Sequence, residues 1–252
     1  MMTQTGQARK GFTLLELLIV LSLTALLMLG LVQMVTAASA SSRLQENQAH
    51  IQDRSRYATR LFREAISQAG YNPRPWEDRF TLEAIGEATA DSVSGGNDRL
   101  VVRAWSDLNC FDNRNPVKGP DGRPAFYVRE TLFDVNSSRH LTRDCRYGPT
   151  LSDMTTQVRR QGLIPGIESF QLLFGEAGNG SDNIGRWAHA GAWADKSRIL
   201  GVRVGILLRS EDPVSEAERQ ELSILDRQVT PPADGRLRQA LQFAVSIRSQ
   251  TG

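Results

Sequence analysis

The residues with the clearest chemical potential lie near the start of the chain, where two cations, a glycine and a phenylalanine precede a lone acid. The cations Arg9 and Lys10 are followed by Gly11. Phe12 then begins a long apolar run, and Glu16 lies inside that run. No other charged residue occurs among the 31 residues that begin at Phe12. A carboxylate at the centre of a bilayer costs about 2.5–3.5 kcal/mol on insertion scales. Because that cost is large, we expect Glu16 to have a partner or a use.

The apolar run is long enough to cross a membrane as a helix. Its most apolar part, residues 12–35, has 24 residues, and a spanning helix needs about 20. Arg9 and Lys10 lie just before this run. Because cations favour the cytoplasmic side of a membrane, we expect the N-terminus in the cytoplasm and residue 43 onward outside.

Two simple interpretations of this segment leave features unexplained. A secretory signal peptide would be cut near the small residues Ala38-Ser39-Ala40, but its apolar region usually has only about 7–15 residues. A plain membrane anchor explains the length, but it explains neither Glu16 nor the Lys-Gly-Phe junction. We therefore prefer an interpretation that accounts for the acid and the junction together.

The pattern Gly-Phe-Thr-Leu-x-Glu, followed by apolar residues, resembles the class III signal of type IV pilins and pseudopilins. The resemblance implies that a prepilin peptidase cuts between Gly11 and Phe12 and that the new Phe12 amine is methylated. It also implies that Glu16 pairs with the terminal amine of a neighbouring subunit. In an apolar filament core such a pair would fix the register, because other alignments would strand the charge.

Helical spacing continues beyond the membrane segment. Apolar residues recur at three, four or seven positions, which is typical of an amphipathic helix: Leu44, Ile51, Ala58, Leu61, Ala65, Ile66 and Ala69. Gly70 is a good C-terminal stop and Pro73 blocks continuation. The spacing therefore predicts one helix from Phe12 to about Ala69, with a second half that packs on a sheet.

Three short segments of this helix resemble the helix signature of the PilW-type minor pilins. They are Arg43-Leu44-Gln45-Glu46-Asn47, Leu61-Phe62-Arg63-Glu64-Ala65-Ile66 and Ala69-Gly70-Tyr71. Ser67 departs from the pattern, since arginine is common at that place in the family. Three later segments also resemble PilW-type chains: residues 163–171, 201–210 and 236–248.

After Pro73 the period of the apolar residues changes toward two, which predicts strands. The predicted strands are residues 99–105, 125–130 with a possible continuation through 133, 168–174, 202–208 and 241–247. Because one long helix precedes the strands, we expect an α+β fold, a pilin-like roll with an antiparallel sheet. The expected organisation is a leader (1–11), a transmembrane assembly helix (12–42), an amphipathic extension (43–72) and a β-rich head (73–252).

The two cysteines, Cys110 and Cys145, both lie outside the membrane by this topology. An even count in an oxidising compartment favours a disulfide. Metal ligation is the alternative, but neither a Cys-x-x-Cys motif nor a nearby histidine pair supports it. No metal is expected at this pair.

Charge gives little reason to expect nucleic-acid binding. The chain has 30 cations and 28 anions, and removal of Arg9 and Lys10 with the leader leaves 28 of each. A neutral chain lacks the basic surface that nucleic acids usually require. Four arginines crowd one stretch of the helix, and we interpret them as a solvated face balanced by Asp53 and Glu64: Arg54, Arg56, Arg60 and Arg63.

Motifs for catalysis are absent from the sequence, so neither an enzyme nor a cofactor is expected. The three histidines are scattered, and no nucleophile elbow, phosphate loop or His-Glu-x-x-His occurs. The segment Asn179-Gly180-Ser181-Asp182-Asn183 offers oxygen ligands for calcium. Because it lacks the full alternating set of acids, a plain turn is the preferred interpretation.

The family resemblance therefore implies an assembly protein of the type IV pilus. It implies a minor pilin of the inner membrane whose head lies in the periplasm and which later joins the pilus at the cell surface. Its expected partners are the prepilin peptidase, the inner-membrane assembly platform, other minor pilins and the major pilin. Twitching motility, cell adhesion or DNA uptake would follow from the pilus. Alternatives are a minor pseudopilin of a type II secretion system and a membrane-anchored periplasmic enzyme or binding module.

Mass spectrometry of the mature N-terminus distinguishes these interpretations. We expect a chain that begins with N-methylated Phe12, because the Gly-Phe junction and Glu16 fit a prepilin signal. A chain that begins at Ser41 would show a secreted protein, and an intact leader would show a simple anchor. Either of these two results would contradict the pilin interpretation.

Overall fold

The structure is a computed structural model that describes residues 13–92, 96–178, 180–214 and 221–248. The predicted cleavage junction of Gly11 and Phe12 lies outside the described residues. The chain divides into two compact units, residues 1–46 and residues 47–252. Each unit is described by itself.

One long helix and ten strands make up the regular structure of the described residues. Two short 3₁₀ helices, Asp78–Phe80 and Lys196–Arg198, lie in connecting segments. The elements in chain order are α1 (Leu14–Ser67), β1 (Leu100–Ser106), β2 (Tyr127–Val135), β3 (His140–Thr150), β4 (Asp153–Pro165), β5 (Ile167–Ala177), β6 (Ile184–Ala188), β7 (Ile199–Pro213), β8 (Leu222–Ile224), β9 (Arg227–Val229) and β10 (Arg236–Ser246).

The strands form two four-stranded antiparallel sheets and a small hairpin. The first sheet has the order β1-β2-β3-β4, the second has the order β10-β7-β5-β6, and β8 pairs with β9. The predicted α+β class, with a long N-terminal helix and antiparallel sheet structure, is confirmed. The sequence predicted one sheet and did not predict β3, β4, β6, β8 or β9, so the division into two sheets is a finding of the structure.

Gly166 is the point at which the chain passes from the first sheet to the second. Its φ of +79° is in the left-handed region that favours glycine, and a Cβ there would lie 2.8 Å from the Arg209 carbonyl oxygen. The Gly166 carbonyl accepts the backbone N–H of Arg209 at 2.9 Å, and the next N–H, from Ile167, donates to the Arg139 carbonyl. A side chain at position 166 would disturb this crossing.

In the first unit, four hydroxyl side chains of α1 bond to the helix itself. The hydroxyls of Ser22, Thr24, Thr36 and Ser39 donate to backbone carbonyls three or four residues earlier, at 2.7–2.9 Å. Such bonds leave no unpaired hydroxyl at these positions, which is what an apolar environment requires.

In the second unit, the last turns of α1 bury one stripe of side chains. The buried residues follow one another at three- and four-residue steps, as an amphipathic helix requires: Ile51, Ser55, Ala58, Phe62 and Ile66. The sequence predicted this face from the smaller aliphatic residues and did not include Phe62. The helix ends before Gly70, whose φ is +70° and whose N–H donates to the Arg103 carbonyl.

Phe62 joins the helix to both sheets. Its ring centroid lies 5.2 Å from that of Phe133 on β2 and 5.3 Å from that of Phe170 on β5. All three rings are fully buried, with 0–1% of their surface exposed. Because aromatic rings bury large areas and pack with specific geometry, this trio fixes the two sheets against the same turn of α1.

Truncation of Phe62 tests this packing. We expect Phe62→Ala to lower the free energy of unfolding by about 3–5 kcal/mol, because it leaves a cavity where three elements meet. The matched control is Phe111→Ala, since Phe111 is 59% exposed and its loss should cost only about 0.5 kcal/mol or less. Denaturant unfolding followed by tryptophan fluorescence gives both values, and equal losses would contradict the proposed role of Phe62.

Candidate assembly surfaces

Glu16 lies in the first turn of α1, and Thr13 caps that turn. The Thr13 hydroxyl oxygen accepts the backbone N–H of Glu16 at 3.2 Å. Thr13 and Glu16 have the spacing of a capping box, in which the two residues stabilise a helix start. An acid in the first turn also interacts favourably with the helix dipole. The Thr-x-x-Glu pattern is the signal in the sequence for this role of Thr13, which was not predicted.

The Glu16 side chain is exposed in this chain. Among the described residues no cation pairs with it. A carboxylate in this position, on a helix start surrounded by apolar side chains, can accept an ion pair from a group outside the chain.

The apolar side chains of the first unit form a large exposed surface. Each of the large hydrophobic residues between positions 14 and 35 is 50–78% exposed. α1 is long and apolar enough to cross a membrane by length and composition. Because soluble monomers rarely expose apolar patches of this extent, this surface requires lipid or the apolar surface of other helices.

Cys110 and Cys145 form a disulfide bond in the structure. The bond attaches the loop between β1 and β2 to β3, and both cysteines are buried in a small cluster with Tyr147 and Val158. In the chain-entropy model, closing a separation of this length stabilises the fold by about 3–4 kcal/mol. The pair is therefore a structural link in the head.

Buried acids in the second unit hold strands and loops together. Glu130 on β2 accepts from Arg103 at 2.7 Å and from Arg146 at 3.2 Å. Glu168 on β5 accepts two bonds from Arg238, at 2.7 and 3.1 Å. Because each buried acid is paired with buried or half-buried arginine, these clusters stabilise neighbouring strands and leave no isolated buried charge.

Asp98 attaches the segment before β1 to the second sheet. Its carboxylate accepts the backbone N–H of Leu172 at 2.7 Å and that of Ser92 at 3.0 Å. Burial raises the pKa of Asp98 to about 6, and the two N–H bonds only partly oppose this shift. Asp98 is thus a buried anchor whose charge is costly at neutral pH.

The acids, cysteines and histidines of the described residues form no metal site. No group of three or more of them could hold a metal ion. The segment 179–183, for which a plain turn was preferred over a calcium site, includes Asn179, which lies outside the described residues. The rest of that segment forms a turn in which the Asn183 N–H donates to the Ser181 hydroxyl.

Arg56, Arg60 and Arg63 on α1 are exposed, as the predicted solvated face requires. Arg54 pairs with Glu211, and Arg56 lies 3.7 Å from Asp53. Arg60 and Arg63 pair with no acid among the described residues. With Arg56 they line an open groove of about 930 Å³ whose other side is β10. The signal in the sequence was their spacing at i, i+4 and i+7, which places all three arginines on one helix face.

A helix that is apolar and exposed in its first half and buried against antiparallel sheets in its second half defines a type IV pilin-like protein. Two family models match the chain. The prokaryotic N-terminal methylation motif matches residues 6–32, and the family Type IV Pilus-assembly protein W matches residues 126–249. Together the two matches support a minor pilin of the PilW type. No curated protein and no solved structure matches it.

The family match has direct consequences for the class of function. A pilin of this family is a structural protein of the type IV pilus system, and the methylation motif with the apolar helix fits a membrane-anchored pilin. Pilus components and a prepilin peptidase are its general partners. The arrangement of Glu16, the exposed apolar surface and the head can therefore support assembly with other subunits.

Replacing Asp98 tests its role as a buried anchor. Because the folded pKa is raised above the ordinary value of 3.8, the folded state holds a proton that the unfolded state has lost between about pH 4 and pH 6. The protonated Asp98 carboxyl therefore contributes to the free energy of unfolding below pH 4, and this contribution is lost as the pH rises through 6. We expect Asp98→Asn to remove this decline, as measured by denaturant unfolding from pH 4 to pH 7. Identical pH profiles for the two proteins would contradict the assignment.

Proposed function

We propose that this protein is a minor pilin that takes part in type IV pilus assembly, as a member of a priming or tip complex with other minor pilins. The observation that carries the proposal is the pairing of a methylation motif at residues 6–32 with a PilW match in the head. The exposed apolar helix supports it, because such a surface suits a subunit that packs against other helices.

The proposed maturation begins at the junction of Gly11 and Phe12. A prepilin peptidase removes the leader, residues 1–11, and the Phe12 amine is then methylated. Residues 12–42 form the transmembrane and assembly helix, residues 43–72 form its amphipathic extension, and residues 73–252 form the head. The mature protein waits in the inner membrane with its head in the periplasm.

Assembly exchanges lipid neighbours for protein neighbours. The exposed apolar side chains of α1 pack against the helices of other minor pilins and of the major pilin, at an inner-membrane assembly platform. Glu16 pairs with the terminal amine of an adjacent subunit. A misaligned helix would leave this carboxylate unpaired in an apolar core, which costs several kcal/mol, so the pair selects one register.

Pilus-dependent functions follow from this role. A subunit that starts or terminates the fibre controls how many pili a cell has, and hence twitching motility, cell adhesion or DNA uptake. The related role of a minor pseudopilin in type II secretion predicts a different phenotype: a deletion would abolish exoprotein secretion and leave piliation intact.

Substitution of Glu16 tests the assembly mechanism. We expect Glu16→Ala to be cut at Gly11 and inserted in the membrane normally, because neither step uses the carboxylate, yet to be absent from filaments. Immunoblots of membrane and sheared-pilus fractions measure both results.

The matched control is Ser22→Ala. Ser22 lies in the same apolar segment and its hydroxyl bonds to the Ile19 carbonyl of its own helix, so its loss should leave incorporation unchanged. Normal incorporation of Glu16→Ala would remove the proposed role of the carboxylate.

A further inference from the structure

The groove between α1 and β10 has features of a strand-binding site. Its helix side carries Arg56, Arg60 and Arg63, and its strand side carries the apolar residues Leu241, Ala244 and Val245. Four of the lining side chains are cationic, the fourth being Arg248, and Glu64 is the one acid. The groove therefore combines an apolar floor with a positively charged wall.

The strand side of the groove is an open sheet edge. β10 pairs with β7 along one edge, and no described strand pairs with its other edge. Its register with β7 runs without interruption from Arg238 to Ser246. A long, regular edge presents a row of backbone N–H and C=O groups that can accept another strand.

The other sheet edges are less suited to accept a strand. One backbone bridge, at Val102, covers part of β1, and a second, at Arg99, lies just before it. The pairing of β4 with β3 shifts register at four places, and such irregularities blunt an edge. β6 has only five residues. Among the described strands, β10 therefore has the edge that is both long and regular.

The charged wall matches the repeat of an extended chain. Arg56 and Arg60 are four residues apart, about 6 Å along the helix axis. Residues i and i+2 of a strand point to the same face and lie about 6.6–6.8 Å apart. Acids at alternate positions of an incoming strand would therefore meet successive arginines of α1. Since Arg60 and Arg63 have no acidic partner among the described residues, an incoming carboxylate would displace no existing ion pair there.

We propose that this groove binds an extended acidic segment of a neighbouring pilus subunit, which adds to the second sheet as a strand beside β10. The backbone of β10 supplies hydrogen bonds, and the arginines of α1 select carboxylates on the face of the incoming strand that lies toward the helix. The proposal rests on the proposed function only for the source of the segment.

A binding assay with the purified full-length chain in detergent micelles tests the proposal. The probe is a fluorescein-labelled peptide of about ten residues that alternates glutamate and valine, a length typical of a strand. We expect the anisotropy of the probe to rise with protein concentration. Arg60→Glu/Arg63→Glu should weaken its affinity about tenfold or more, because two attractive contacts become repulsive.

The matched control is Arg123→Glu/Arg159→Glu, which makes the same change in net charge at two exposed arginines outside the groove. We expect this variant to bind the peptide as the unaltered chain does. Equal losses in both variants would show a nonspecific charge effect and would overturn the proposal. Circular dichroism of each variant establishes that it is folded.

A second probe tests strand addition with the unaltered protein. Replacing two central valines of the peptide by proline removes backbone donors and prevents pairing, so this peptide should bind at least about tenfold more weakly. Equal binding of the two peptides would overturn strand addition. Tighter binding of a short DNA duplex than of the acidic peptide, at the same salt concentration, would show a general polyanion site and would also overturn the proposal. Because the assay contains no pili, failure here leaves the Glu16 incorporation experiment unaffected.

Discussion

The exposed apolar surface of α1 is the constraint on which the rest of the structure depends. Large aliphatic side chains from Leu14 to Val35 are half or more exposed, and the hydroxyls among them bond to the helix itself. Water is therefore a poor environment for this segment, whereas lipid and other helices are suitable. Glu16 is the one charged group in this surface. Under the proposed function, this helix exchanges a bilayer for a helical bundle and Glu16 sets its alignment.

The head buries one face of the second half of the same helix. Phe62 packs against one ring from each sheet, so the two sheets share a core that α1 organises. Two buried acids of the head have partners, since Arg103 donates to Glu130 and the Leu172 N–H donates to Asp98. The Cys110–Cys145 bond then secures the long loop between β1 and β2. This arrangement leaves β10 at the end of its sheet, where the arginines of α1 stand beside an open edge.

Periodicity predicted the helix and the five strands that carry regular apolar alternation. β3 and β4 were not predicted because few of their residues are apolar. Cys145 on β3 is buried through its disulfide rather than through an apolar pattern. The division into two sheets depends on the crossing at Gly166, a long-range contact with Arg209 that no local pattern records. The groove was missed for a similar reason, since the arginine spacing gives a helix face but does not reveal that a sheet edge lies beside it.

We propose above that α1 leaves the membrane and becomes part of a fibre. Mass spectrometry of sheared pili measures this directly, when wild-type cells are compared with cells in which pilus assembly is blocked. We expect peptides of this chain in the fibre fraction of wild-type cells and only in the membranes of blocked cells. Its retention in the membranes of both strains, with fibres that lack it, would contradict the account.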